Sequence, residues 1–578
     1  MKASAPLGNA PFVLLDGGSG GRSLLFSEPE EIVEARHPAA VRAAIRQLEG
    51  RDAAGFIAYE AGHALEPKLA PLCAPPPAAD APPLLWFGLF GAPREVEPAD
   101  LLPDPAGAWA GPARPLIGRA EHGRAVARIL AHIEAGDIYQ ANLTFPAEVR
   151  FAGHPLALYA TIRARAGAAH GAVVFTGAHW ILSFSPELFF EMKNGRILAR
   201  PMKGTAPRSA DPETLRADPK QRAENLMIVD LLRNDISRVS RPGSVEVPHL
   251  FAIETYPTLH QMTSTVTAEL SPGVTPSKVL EAIFPCGSIT GAPKIRATEI
   301  IAEVETTPRG IYTGAIGRVA PDGEAAFNVA IRTLTLPAGG GAARMGLGSG
   351  IVADSRAGDE WRECLAKGAF VHDPDRGFDL IETMRFDPRD GMPDLERHLA
   401  RLKRSADALG FAFDRHDARN ELQAATFRLP DVSRVRLMLS PTGAVAIEIR
   451  PLPPHPAEPV EVSLALRTVS AEDFRLVHKT SDRAFYDAPR RAAGTFEIMF
   501  EDEAGFLTEG SFTHIFIERG GKLLTPPLSR KLLPGILRER LIEEGAAEEA
   551  DLPAADLGEG FLIGNAARGL IRARLRAS

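Results

Sequence analysis

With 578 residues, 45% of them hydrophobic, the chain has material for at least two domains with large cores. Its net charge of -8 excludes the basic footprint of a nucleic-acid binder and points to a small ligand. Three widely spaced cysteines, Cys73, Cys286 and Cys364, form neither a disulfide framework nor a CxxC metal site, and no apolar run suits a signal peptide or membrane span, so a soluble cytoplasmic protein without membrane partners is expected.

In chain order, residues 11–120 alternate short apolar runs (FVLLD, SLLFS, GFIAYEAG, LLWFGLF) with Pro/Gly-rich connections, the pattern of a β-rich layer. Val126, Ile129, Leu130 and Ile133 fall at helical spacing over 119–135, with Gly136 placed as a cap. A strand follows over 138–145, in which Tyr139, Ala141, Leu143 and Phe145 alternate with Gln140, Asn142 and Thr144. The stretch SFSPELFFEMKNGRILARPMKGTAPR (183–208) then places two period-two apolar runs around Asn194-Gly195, a dipeptide suited to the positive φ angles of a type I′ turn. This hairpin carries a carboxylate, Glu187, on one arm and an amine, Lys203, at the end of the other: an acid/base and a possible nucleophile in one folding unit. In ideal register Glu187 faces Met202. For both groups to enter one site, the second arm must end or bulge near Pro201, which gives the ladder no donor.

A long helix is predicted over 218–240, with Glu224, Ile228, Leu231 and Asp235 on one face, and a shorter one over 358–370 that stacks Glu360, Glu363 and Lys367. The Glu363 and Lys367 spacing fits an ordinary i,i+4 ion pair on a solvated face. With Glu224, it fits equally the one or two carboxylates that hold a largely hydrated Mg²⁺. Between these helices, FPCGSITGAPKIRA (284–297) and MGLGSGIVADS (345–355) read as glycine-bearing turns able to aim amides and hydroxyls at an anion, and Arg332 offers a fork for a carboxylate.

Taken jointly and in this order, GDIYQANLT, SPELFF, RPMKGT, AENLMIVDLLRND, GSITGAPKIRA, YTGAIG, IRT, GSGIVADS and EWRECLAK resemble the chorismate-utilising enzymes, the family of the anthranilate, aminodeoxychorismate, isochorismate and salicylate synthases. The resemblance implies an α+β domain over 1–371 with a two-sheet β core and flanking helices. It also implies roles. Anthranilate synthases look like PIAGT where this chain has PMKGT, and the lysine is the aminodeoxychorismate synthase residue. Lys203 would attack chorismate at C2 as the C4 hydroxyl leaves, ammonia would then add at C4, and Glu187 would be the general acid and base. A neutral nucleophile requires a depressed Lys203 pKa, through desolvation in a closed site. Glu224 and Glu363 would bind Mg²⁺, with Glu360 behind them. Arg332, Tyr312 and the amides around Gly348 and Gly350 would hold a substrate carboxylate, with Thr290 nearby and His260 in a catalytic position beside the ring. Gln221 departs from the acidic residue of some relatives, which leaves the metal shell less acidic.

After Phe370, the string VHDPDRGF breaks the pattern, giving a linker over 372–378 and a second domain over 379–578. His398–Leu409 is amphipathic, two strands follow (VRLMLS, AVAIEIR), and LPPHPAEP (452–459) reads as a hinge between two lobes. HLARL, HKTSDR, LTEGSFTHIF and LLPGILRERL resemble the class IV, pyridoxal-phosphate-dependent family, a two-lobed α/β fold, and the HKT lysine with the NAARG turn looks most like its aminodeoxychorismate lyases. By that resemblance Lys479 bonds covalently to pyridoxal phosphate and shuttles the proton, and Glu509 pairs with the pyridine nitrogen. Arg401 and the amides of Ile536 and Leu537, at a helix start, bind the phosphate. Thr480 and the turn 565–569 line the substrate side. His514 departs from the Asn expected in EGSxxN.

Together the two resemblances imply consecutive steps toward folate: amination of chorismate, then elimination of pyruvate to leave p-aminobenzoate. None of the cysteines lies in a GxCxG nucleophile elbow, so ammonia is expected from a separate glutamine amidotransferase subunit. Class IV domains commonly pair, so a homodimer through the rear domain is expected. The rival readings are an anthranilate synthase in front, and a transaminase or a non-catalytic docking module behind.

Overall fold

The computed structural model describes residues 7, 10–18, 21–255, 259–558 and 560–576 as a mixed α+β chain. Its backbone divides into two compact units: one takes the chain up to Leu102, Pro112–Val149 and Tyr159–His372, and the other takes Pro103–Gly111, Arg150–Leu158 and everything from Asp373 onward.

Two ten-stranded antiparallel sheets form the first unit, each a path of nine strands with a tenth beside it, Arg114–Pro115 on Gln140–Val149 in one and Glu246–Thr255 on Leu259–Glu269 in the other. One runs from Gly291–Ala292 through Gln140–Val149, Ala343–Ile351, Thr333–Pro337, His179–Ser185, His170–Phe175, Phe12–Asp16 and Ser23–Ser27 to Arg94–Val96. The other runs from Met202–Pro207 through Leu259–Glu269, Arg196–Arg200, Leu188–Lys193, Ala325–Val329, Ala315–Val319, Asp52–Ile57 and Leu85–Phe90 to Glu31–Ala35. Val13, Phe26, Val174 and Ile181 of the first sheet pack on Ala54, Phe56, Trp86 and Ile316 of the second, so alternate residues of both sheets build the core between them.

The hairpin forms as its sequence dictates. Asn194 (φ 52°) and Gly195 (φ 71°) turn the chain between Leu188–Lys193 and Arg196–Arg200. The second arm stops at Arg200, and Met202–Pro207 resumes as a separate strand on Leu259–Glu269, with a register shift between Met202 and Thr205. Pro201, which has no N–H, sits at the break, and its carbonyl accepts from the Ser264 amide at 3.2 Å. The first arm bulges too, between Leu188 and Glu191.

One expectation is overturned. The segment MGLGSGI is not a turn: Ala343–Ile351 is a nine-residue strand paired with Gln140–Val149. Its glycines are needed for close approach, because a Cβ at Gly346 would lie 1.9 Å from the Tyr312 ring and one at Gly348 would lie 2.7 Å from the Leu143 carbonyl. The partner strand is buried on both faces, so its polar alternates Gln140, Asn142 and Thr144 face the protein interior.

In the second unit, Leu380–Phe386, Ser433–Leu439 and Val445–Pro451 form a small antiparallel sheet covered by the helix Leu395–Leu409. After irregular chain over 452–459 comes an eight-stranded mixed sheet, with Val460–Leu466 parallel to both Glu497–Glu501 and Gly569–Leu575. Trp109 belongs to the small lobe's core although it precedes that lobe by more than 250 residues: its ring lies 6.1 Å from those of Phe378 and Phe411 and packs beside Leu399 and Leu437. Trp109→Ala empties this site and is expected to destabilise the second unit by about 3–5 kcal/mol, seen as an earlier loss of far-UV signal in that unit's melting step; an unchanged melt would show the contact to be idle.

Candidate active sites

Burial in the first unit acts on charged groups delivered by several elements. The start of the hairpin supplies Glu187 and the strand that resumes after it supplies Lys203, the helix Pro219–Ser237 supplies Glu224, and the helix Ala357–Gly368 supplies Glu360, Glu363 and Lys367. Asp218 caps the first helix by accepting from the amides of Lys220 (2.8 Å) and Gln221 (3.1 Å). Lys203 is half-buried; desolvation first, then the charge of Lys367, lowers its pKa, against the pull of Glu224, Glu187 and Glu363. Burial pushes Glu187 up, while Ser288 donates to its Oε1 at 2.6 Å. The loop that carries Ser288 is pinned by Lys294, which pairs with the buried Asp235 at 2.6 Å and donates to the carbonyls of Ile283 (2.8 Å) and Pro285 (3.1 Å).

Gln140, passed over at the sequence level, belongs to the same site. A Cβ at Gly350 would lie 3.1 Å from Gln140 Nε2 and 3.4 Å from Lys203 Nζ, and that buried Nε2 has no hydrogen-bond partner. Its place on the polar alternates of a strand was the available signal. The neighbouring amides are also oriented. Asn142 and Thr144 donate to Thr290 O (2.8 Å) and Glu305 Oε1 (2.7 Å), which makes the 142/350 and 144/348 pairs the non-hydrogen-bonded ones. The N–H groups of Gly348 and Gly350 therefore point away from that partner strand, on the side where Lys367 donates to Gly348 O at 3.1 Å.

The 358–370 helix carries the i,i+4 ion pair. Glu363 pairs with Lys367 at 2.7 Å, and it also faces Glu224, whose pKa is raised by burial and by that second carboxylate. Glu360 is held by Ser355 at 2.7 Å. Among the described residues no set of three or more His, Cys, Asp or Glu side chains forms a metal-binding group. Glu224 and Glu363 lie close enough to act on one another's charge, and two carboxylates suit Mg²⁺, which keeps most of its hydration shell.

The remaining predicted residues are placed unevenly. Tyr312 packs on Gly346, and burial raises its pKa, so the hydroxyl stays a neutral donor. Thr290 is buried and donates to Cys286 O at 2.8 Å. Arg332, at φ 51°, lies over the Phe370 ring and donates to Ala166 O at 3.5 Å, contacts that join it to none of the other predicted residues. His260 is buried with both ring nitrogens engaged, Nδ1 by Thr255 (2.9 Å) and Nε2 by the Arg208 carbonyl (3.2 Å).

In the second unit a cavity of about 440 Å³ gathers Lys479, Glu509, Arg401, His514, Ile536 and Leu537. Thr480 bridges to Leu380, and Ile381 donates to Lys479 O at 2.8 Å, which fixes the lysine beside the small sheet. Burial, helped by Arg483 and Arg401, brings the Lys479 amine down to about 7. Burial also lifts Glu509 to about 7, although it accepts from Tyr486 Oη (2.5 Å) and Leu533 N (3.1 Å). Arg401 forks onto Glu382 (Nε 2.8 Å, Nη2 2.6 Å) and donates to Pro534 O at 3.0 Å, so two of its five N–H bonds remain for a phosphate. Gly535 begins the helix Ile536–Glu543, whose first amides are directed outward. His514 is neutral, held near 3 by burial and by the neighbouring cations, and its buried Nδ1 has no partner. Asn565 ties the last turn, donating to Phe512 O and accepting from the amides of Ala567 and Arg568. An amine that is largely neutral above pH 7, a carboxylate for a ring nitrogen and an anion-binding helix start fit pyridoxal phosphate. Glu382 and Tyr486, which position this set, carried no motif in the sequence.

The chain belongs to the chorismate binding enzymes, whose family model matches residues 11–373. Residues 379–575 match the amino-transferase class IV model, a family that implies pyridoxal phosphate. Over 258 residues the chain is 43% identical to the aminodeoxychorismate synthase component 1 of Klebsiella aerogenes, covering 43% of this chain and 57% of that one. It is 39% identical over 259 residues to the anthranilate synthase component 1 of Streptomyces coelicolor, covering 43% and 50%. The chain thus spans about half the length of these relatives. The crystal structure of anthranilate synthase component I from Streptococcus pneumoniae shares the fold, with a TM-score of 0.52 at 24% identity over 63% of this chain and 92% of that one. Among the described residues no helix is long and apolar enough to cross a membrane.

The Glu382 cluster gives a stability test with a definite sign. Burial alone would raise the Glu382 pKa, but Arg401 and His398 hold it at about 2, below its unfolded value of 4.5. Its contribution, about 3 kcal/mol, is therefore fully present above pH 4.5 and lost as pH falls toward 2. Glu382→Ala is expected to cost about 3–5 kcal/mol at pH 7 by leaving Arg401 buried and unpaired; chemical denaturation that finds the variant as stable as the parent would refute this account.

Proposed function

We propose that the chain makes p-aminobenzoate in two steps: chorismate plus ammonia gives 4-amino-4-deoxychorismate and water, and 4-amino-4-deoxychorismate then gives p-aminobenzoate and pyruvate. The observation that carries the reading is the Lys203 amine, depressed in pKa and set, like the Gln140 amide, directly beside Gly350. The synthase name of the relatives points the same way.

In the first step Lys203 adds to C2 of chorismate while Glu187, raised by burial, protonates the departing C4 oxygen. Ammonia then adds at C4, the Lys203 nitrogen leaves C2, and Glu187 accepts the proton that ammonia sheds. Ser288 keeps Glu187 aimed. Glu224 and Glu363 would hold Mg²⁺, which neutralises one substrate carboxylate, and Glu360 would support them. Outward amides at Gly348 and Gly350, with Tyr312, would receive the other. His260 would stand beside the ring, next to the strand Met202–Pro207 that carries Lys203, with Thr290 nearby and Arg332 as a further fork for a carboxylate.

For the second step pyridoxal phosphate supplies an electron sink for the carbon that bears the amine. Lys479, with a pKa of about 7, can take a proton from that carbon and return one elsewhere. Glu509 keeps a ring nitrogen protonated, while Arg401 and the amides of Ile536 and Leu537 hold the phosphate. We further propose that ammonia comes from a separate glutamine amidotransferase, that the chain works in the cytoplasm, and that it pairs through the second unit as a homodimer.

Incubating the full chain with chorismate, Mg²⁺, ammonium at alkaline pH and pyridoxal phosphate, with chromatographic mass balance, tests both steps. Equimolar p-aminobenzoate and pyruvate are expected, replaced by accumulating aminodeoxychorismate in Lys479→Ala and abolished in Lys203→Ala. Anthranilate would sink the synthase assignment, and an intermediate the parent never cleaves would sink the lyase assignment. A second test uses pH. Lys367→Met removes a cation that lowers the Lys203 pKa and frees Glu363, which raises it. Both changes act in one direction, so the acid limb of the synthase rate profile should move up by about one pH unit; a shift downward would contradict Lys203 as the titrating nucleophile.

A further inference from the structure

Most arginines around the second unit's cavity are committed. Arg475 pairs with Asp473 (2.7 Å) and Asp482 (2.9 Å), Arg401 pairs with Glu382, Arg483 donates to the Ser511 carbonyl, and Arg490 lies over the Phe512 ring with Asp487 at 4.0 Å, its Nε unpartnered. Three others line the same cavity without a carboxylate partner among the described residues: Arg434, Arg436 and Arg568. Arg434 and Arg436 are two apart on the strand Ser433–Leu439, so they share the face that also carries Thr383 across the ladder. Glu448, cross-strand from Arg436, is paired with Arg450 instead, and Arg436 Nε is buried without a partner. Arg568 comes from the turn that Asn565 fixes, over the Phe496 ring.

Two of these cations confront each other. The Arg568 pKa is lowered by burial and then by Arg434, so like charges converge inside a partly desolvated space. That arrangement is unfavourable until an anion enters between them. The uncommitted arginines reach the cavity from the strand Ser433–Leu439 and the turn at Asn565, elements that carry neither Lys479 nor Glu509.

We propose that Arg434 and Arg568 clamp the ring carboxylate of the lyase substrate, with Arg436 beside them, and so select an aminocyclohexadiene carboxylate over other primary amines. The assignment rests on the lyase reading above. In that substrate the ring carboxylate is para to the amine, so a ligand engaged at Lys479 extends its carboxylate to the far end of the cavity. Bidentate guanidinium forks suit it there. p-Aminobenzoate keeps both groups, and so binds at the same clamp.

The test uses the full chain loaded with pyridoxal phosphate and reads the shift in cofactor absorbance on titration with p-aminobenzoate, m-aminobenzoate and aniline. The parent is expected to bind p-aminobenzoate about tenfold or more tightly than either of the others. Arg434→Gln and Arg568→Gln should each erase that preference, with cofactor absorbance retained, and should raise the KM for aminodeoxychorismate about tenfold while kcat stays within about threefold. Arg568 is on a turn, so its variant remains informative if the strand variant misfolds. A parent without the preference, or a preference that survives in Arg568→Gln, overturns the clamp. Retained preference in a parent that releases no pyruvate supports the clamp and overturns only the lyase reading.

Discussion

Each unit depends on keeping a lysine amine out of water. An exposed ammonium stays protonated to pH 10 and cannot attack carbon, so removal from solvent has to come before any chemistry. Lys203 and Lys479 share that primary cause of depression, and in both the second contribution is a nearby cation, Lys367 in one case and Arg483 in the other. The same burial pushes the companion carboxylates Glu187 and Glu509 upward. Acid and base thus approach each other in pKa through one physical term, without forming a tight ion pair that would lock both in their charged forms.

Holding charged groups in dry surroundings requires a rigid frame, and much of that frame is itself ionic. Arg309 forks onto Glu305 (2.9 and 2.7 Å), donates to Asn142 O and Ile289 O, and stacks on Tyr59, tying the Gln140 strand to the Ser288 loop. Glu497 collects the Ser511 and Phe512 amides and the Ser511 and Thr513 hydroxyls, fixing the turn that follows Glu509. Such buried pairs add little net stability, but each is expensive to break from one side, so they specify geometry.

The parts of this arrangement legible in the sequence were those set by local rules. Asn194-Gly195 announced its turn, Pro201 the break in the arm, Gly136 the end of the helix Arg119–Glu134 and Asp218 the start of the next. The glycines of 345–351 were misread as a turn because close approach to Tyr312 and Leu143 is a tertiary demand that leaves the same residue type as a positive φ. Gln140, Glu382 and Tyr486 escaped for a related reason: each acts on a partner from a distant stretch, and nothing in its own neighbourhood marks it. Trp109 is the extreme case, a core residue of one unit written among the strands of the other.

The two units present opposite charge surpluses to the dianionic ring compound proposed as their substrate. Around Lys203 the carboxylates of Glu187, Glu224, Glu360 and Glu363 outnumber the amines of Lys203 and Lys367, and Lys203 must be neutral to react. Such a pocket repels its proposed substrate until positive charge is supplied, and a dication shared by Glu224 and Glu363 supplies it without adding a proton donor. The second unit has the reverse balance, with arginines in excess of carboxylates around its cavity. There the proposed substrate would itself supply the missing anion. Its carboxylates would relieve the repulsion between Arg434 and Arg568, while Lys479, lowered by burial and then by Arg483 and Arg401, would remain free to act as a base.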